Sequence, residues 1–327
     1  MIEDTLTGPA ADGLEEALRA ELAQGNRIIA DARPILRHLL ADSDVGLFGD
    51  AVVAGVRGMM VHAARQLLEV LAQEAKIAER GEFVAAHAGA VAARLFAQDD
   101  VLACAHALVL EAELAERLHR DSGIDPLLPP LLRELAGSPD PAQAAAAVAV
   151  LGAQARFVQH QRRMEWPLAE LPGELFHKAM LVLGVFELVP AEALAAARAR
   201  LRGGYDEGQR RVGQITRLIV AMGREAPRAL SLEQAGLAIF VTALGMASGQ
   251  DRALAVLTLS PSQPARLALA LRAAGMTEDE ATRQFLDLHP ELALPAGFAA
   301  LSPERAGALL APPFGEPLVA PGDERGH

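Results

Sequence analysis

Aromatic rings, thiols and lysines are nearly missing from this chain. Its 327 residues hold one Trp (Trp166), one Tyr (Tyr205), ten Phe, one Cys (Cys104) and two Lys (Lys76 and Lys178). A single cysteine excludes an intrachain disulfide framework and fits a reducing compartment, so a cytoplasmic location is expected. Scarce aromatics leave few rings on which nucleic-acid bases could stack. A net charge of −12 gives no general attraction to nucleic acid or to an anionic membrane. Residues 1–12 are acidic and contain no apolar run, so no targeting signal is expected there. No charge-free apolar stretch reaches the roughly 18 residues of a membrane span. The nearest, Leu232 to Gly249, carries Glu233, is interrupted by Gly236 and Gly245, and reads as a buried core helix.

What fills the chain instead is Ala and Leu, within a hydrophobic fraction of 51%. These are strong helix formers, whereas strands draw on β-branched and aromatic residues. Apolar residues recur at steps of three and four almost throughout, and no period-2 alternation is evident. The expectation is an all-α protein, a multi-helix bundle or irregular helical array in two units, with about fourteen helices. The clearest seam lies in residues 50–79, where Val53, Val56, Met60, Ala63, Leu67, Val70 and Ile77 alternate steps of three and four around Glu74. Helix starts are marked by Ser231-x-x-Gln234, Ser260-x-x-Gln263 and Thr277-x-x-Glu280, which match the capping box. Ser260-Pro261, Ser302-Pro303 and Asp140-Pro141 place proline at a first helical position, where its missing N–H costs nothing.

Five prolines in residues 121–141 suggest a connector between an N-terminal helical unit over 9–120 and a C-terminal helical region over 142–311. A weaker break falls near Glu165 to Gly173, and the Pro- and Gly-rich residues 312–327 read as a disordered tail. Similar turns occur at Leu40–Val45, Phe96–Val101 and Leu135–Pro141, each with an acidic residue before Val or Pro. This turn resembles that of HEAT-type helical repeats, which makes a HEAT-like α-solenoid the alternative architecture. The spacing of 56 and then about 40 residues is uneven for a solenoid, and recurrent capping explains the likeness equally well. A second similarity pairs Leu230–Gly236 with Leu301–Gly307.

Most familiar catalytic chemistry finds no support. Glu116-x-x-His119 and Glu174-x-x-His177 each put two potential ligands on one helical face, as in di-iron bundles. Pairs at this spacing arise by chance in a chain this rich in Glu, and Glu113–Arg117 and Glu116–Arg120 read as i,i+4 surface ion pairs. No metal or other cofactor is therefore expected. Gly245-Met246-Ala247-Ser248-Gly249 has the wrong spacing for a nucleophile elbow and follows no strand. Cys104 sits among Val101, Leu102, Ala105 and Leu108, the surroundings of an inert thiol. Neither a P-loop nor a strand-borne dinucleotide fingerprint occurs.

Charge carries the strongest functional signal. Residues 1–155 have a net charge of −11, residues 156–228 of +4, and the remainder of −5. Arg198, Arg200 and Arg202 end one predicted helix, and Arg210 and Arg211 open the next. Arginine in a last helical turn suits the helix dipole, but Arg210 and Arg211 in a first turn oppose it and call for a partner. The expectation is a contact surface for an acidic protein, a second subunit or the chain's own acidic half. The function expected is thus a non-catalytic scaffold or adaptor for protein–protein interaction, including self-association. An enzyme or small-molecule sensor with a pocket between helices is the alternative.

Overall fold

The structure, a computed structural model, describes residues 9–41, 50–294, 298 and 301–311. Fourteen α-helices and four 3-10 segments make up most of these residues, and none of the described residues lies in a strand. In chain order the helices are α1 (Pro9–Ala41), α2 (Asp50–Glu74), α3 (Arg80–Phe96), α4 (Asp99–Ser122), α5 (Pro130–Ala136), α6 (Pro141–Arg162) and α7 (Gly173–Val182). They continue with α8 (Ala191–Gly203), α9 (Arg211–Ala221), α10 (Leu232–Ser248), α11 (Arg252–Thr258), α12 (Pro264–Ala273), α13 (Glu278–Leu288) and α14 (Pro303–Leu310). The turn at 40–45 is only partly within the described residues, and the tail at 312–327 lies outside them.

Two compact units emerge, and their boundaries differ from those the prolines suggested. Among the described residues, the larger lies within Ile35–Thr242, and the smaller joins those up to residue 34 to those from residue 243 onward. Residues 121–141 lie inside the larger unit, where α5 packs on α6. The prolines there mark helix ends rather than a domain linker: Pro130 and Pro141 each occupy a first helical position.

In the larger unit α2 is the central element and packs on α3, α4 and α8. Its buried face is wider than the predicted seam, because Met59, Ala64, Leu68, Leu71 and Ala72 join Val56, Met60, Ala63 and Leu67. A helix covered from three sides needs an apolar surface broader than one stripe. The helix also stops earlier than expected. Lys76 takes φ +57, and the Ile77 N–H reaches back to the Ala72 carbonyl at 3.0 Å, closing a left-handed cap. The contact of α2 with α8, far along the chain, departs from a solenoid, in which each repeat meets only its neighbours.

One connector in this unit is held in a strand-like manner by α2. Gln66 donates from Nε2 to the Trp166 carbonyl at 2.9 Å and accepts the Leu168 N–H on Oε1 at 3.1 Å. His62 Nδ1 accepts the Trp166 N–H at 3.1 Å, so the neutral ring carries its hydrogen on Nε2. These bonds satisfy the backbone of the break near Glu165–Gly173 and sink Trp166 into the core. At the other end of the unit, α10 is interrupted at Gly236, with φ +69 and ψ 165. A side chain there would also strike Pro129, so only glycine fits.

In the smaller unit α12 is central and packs on α11, α13 and α14. Capping chemistry sets the helix starts. Thr277 and Glu280 form the full capping box of α13, and Ser302 Oγ accepts the Arg305 N–H at 3.2 Å. The Ser260 signal misplaces a start: α12 begins at Pro264 with Gln263 as its N-cap, because Pro264 rather than Pro261 takes the first helical position. The likeness of Leu230–Gly236 to Leu301–Gly307 does not extend to the backbone. Gly236 breaks its helix, while Gly307 lies within α14.

Candidate functional site

The five arginines fall into three separate settings. On α8, Arg198 turns toward the end of α7, donating from Nε to the Met180 carbonyl at 3.2 Å and from Nη2 to the Leu181 carbonyl at 3.4 Å. A cation bound to the last carbonyls of a helix offsets its dipole. The guanidinium lies against Gly184, where a Cβ would collide with it. Arg202 is exposed and donates from Nε to the Arg198 carbonyl at 3.2 Å, so these two share a face one turn apart. Arg200 points elsewhere and pairs with Glu74 at the end of α2 at 3.0 Å.

Arg210 and Arg211 have a different task. Arg210 donates to the Glu170 carbonyl at 3.3 Å and to Glu207 Oε1 at 2.7 Å. The Arg211 side chain is only 2% exposed and forms a two-pronged pair with Glu111, with both Nη–Oε distances 2.8 Å. Its Nη1 also donates to Gln154 Oε1 at 3.0 Å, and its guanidinium carbon lies 3.6 Å from the centre of the Phe157 ring. Arg211 is thus enclosed by the chain and is no part of an external surface. The unfavourable start of α9 is resolved in the same place. The Arg211 N–H donates to the Glu170 carboxylate at 2.9 Å, so Glu170 supplies the anion that the N-cap residue Arg210 lacks.

Glu111, Gln154, Phe157 and Glu170 were not singled out from the sequence. A signal for Glu111 existed: it stands one heptad before the buried Leu118 and so on the core face of α4. Around them the chain is pinned by Tyr205, whose hydroxyl donates to the Leu171 carbonyl at 2.7 Å and whose ring stacks on Phe176 at 4.2 Å. Burial, first of all, holds the Tyr205 hydroxyl above its ordinary pKa.

The exposed remainder is a corner formed by the end of α7 and by α8. Leu181 and Val185 are 50% and 55% exposed and stand one turn apart. Arg198 is bonded to the Leu181 carbonyl, and Arg202 extends the basic edge along α8. Apolar side chains flanked by guanidinium groups form the kind of surface that proteins use for contact, where arginine is enriched.

Other candidate chemistry does not assemble. Glu116, His119, Glu174 and His177 are all exposed, and among the described residues no group of three or more His, Cys, Asp and Glu is placed to hold a metal ion. Glu113 is held above the usual carboxylate range by burial and then by the neighbouring Glu116. Ser248 Oγ donates to the Leu244 carbonyl of its own helix at 2.7 Å. Among the described residues no single helix is long and apolar enough to cross a membrane. The 3-10 segment Gly223–Leu230 and α10 pass by length and composition only together, and they bend by 102°. No known protein family, curated protein or solved structure shows a significant match to this chain.

Proposed function

We propose that this protein is a non-catalytic helical scaffold that binds an acidic protein partner through the corner formed by α7 and α8. The observation that supports this is the pair of exposed apolar side chains, Leu181 and Val185, set beside Arg198, with Arg202 one turn further along α8. Small apolar anchors exclude water, while the two guanidinium groups select carboxylates and speed encounter. Arg198 is already ordered by α7, so little side-chain entropy is lost when a partner docks.

The test compares wild type with a Leu181→Asp/Val185→Asp variant. Both residues are exposed, so melting should hold within about 1 kcal/mol of stability. Proteins captured from the native host by wild type should be lost by the variant and released by salt. Equal capture by both proteins, with a photo-crosslinker at position 181 labelling nothing, would refute the assignment.

A further inference from the structure

We propose that the α1–α12 junction of the smaller unit holds a small inorganic anion on the guanidinium of Arg266. Arg266 is only 2% exposed. Its Nη2 donates to Asn26 Oδ1, a neutral amide, while Nε and Nη1 are buried without a hydrogen-bond partner among the described residues. No carboxylate among the described residues pairs with it; burial alone bears on its charge and favours losing it. A guanidinium does not deprotonate in proteins, so this charge remains. A buried, uncompensated cation is among the costliest features a fold can carry, and such groups are normally paired.

The junction is built closely enough to make the enclosure real. Gln263 donates from Nε2 to the Gly25 carbonyl at 2.9 Å, an approach that leaves no room for a Cβ at position 25. Arg266 lies in the first turn of α12, whose N-cap makes no side-chain bond, so the positive end of the helix adds to its field. An Asp at position 26 would neutralise the arginine within the chain. The amide that stands there leaves a net positive site with donors to spare. Its chemistry suits chloride or a small oxyanion such as phosphate, which accept N–H bonds without bringing bulk.

Thermal melting of the full chain is followed while chloride and phosphate are titrated separately. Ionic strength is held constant with a bulky organic sulfonate. Wild type should show a saturable rise in Tm, roughly 5 °C at a hundredfold excess over Kd. Asn26→Asp should raise Tm in the sulfonate buffer and flatten the response, because the new carboxylate takes the place of the anion. Arg266→Met should likewise flatten it. Whichever of the two anions produces the response, its loss in Asn26→Asp assigns the site. The same response in wild type and Asn26→Asp, or none in wild type, overturns the proposal.

Discussion

Breaking the Arg211–Glu111 pair from either side should be costly, and the two sides should differ in a way set by acid–base chemistry. Both side chains are 2% exposed and joined by two bonds of 2.8 Å, with Gln154 and Phe157 closing on the guanidinium. Removing one member of a buried pair costs about 3–5 kcal/mol, mostly from the charge left behind. In Glu111→Gln the charge left behind is the guanidinium, which cannot lose its proton, so the cost should be nearly independent of pH. In Arg211→Met it is a carboxylate, which can take one up.

Burial without a cation raises a carboxylate's folded-state pKa above its unfolded value. Stability then is fully present below the unfolded pKa and falls as pH rises through the folded one. Arg211→Met should therefore be much less destabilised near pH 5 than near pH 8. A Glu111→Leu/Arg211→Met double variant should recover most of the loss, since apolar replacement of a buried pair is often neutral or better. Urea unfolding followed by circular dichroism of wild type, Glu111→Leu, Arg211→Met and the double variant gives all four corners of the cycle. Single losses under about 1 kcal/mol, or additive losses in the double variant, would refute the buried, coupled pair.

Two further outcomes test other parts of the fold. Gly236→Ala should cost about 3 kcal/mol or more in urea unfolding, from a backbone angle alanine resists and a collision with Pro129; a loss under about 1 kcal/mol would refute that conformation. Burial pushes His106 down to about 4, so the unfolded chain binds its proton first and stability should fall as pH drops from about 6.5 toward 4, by up to about 3 kcal/mol. A His106→Leu variant should lose that part of the acid dependence, and an unchanged pH profile would contradict it.

The helical architecture was legible because its cause is local. Ala-Leu composition, three-four spacing and caps such as Thr277 and Ser302 act within one or two turns, and the helices follow them. What was not legible depends on contacts across many residues. Gln66 meets Trp166 and Leu168 about a hundred positions away, and nothing near Gln66 reveals that its amide will act as a strand edge. The grouping of the described residues up to 34 with those from 243 onward has the same character. The prolines of 121–141 misled because a helix start and a linker use the same residue for different reasons.

The arginine cluster shows where reading charge along a sequence stops working. The +4 of residues 156–228 implies a basic surface only if its members face solvent together. Arg211 is instead neutralised in the interior by a carboxylate from the acidic half, Arg200 is taken by Glu74, and Arg210 by Glu207. Arg198 and Arg202 differ because their bonds are to carbonyls, which carry no net charge, so their positive charge stays available at the corner beside Leu181. Arg266 lies where no local excess of arginine pointed and has an amide opposite it. What distinguishes these arginines is the charge of the group across from each. For Arg200, Arg211 and Arg266 that group comes from another helix, and so the two uncompensated sites, the corner with Arg198 and Arg202 and the junction with Arg266, carry the functional expectations rather than the densest run.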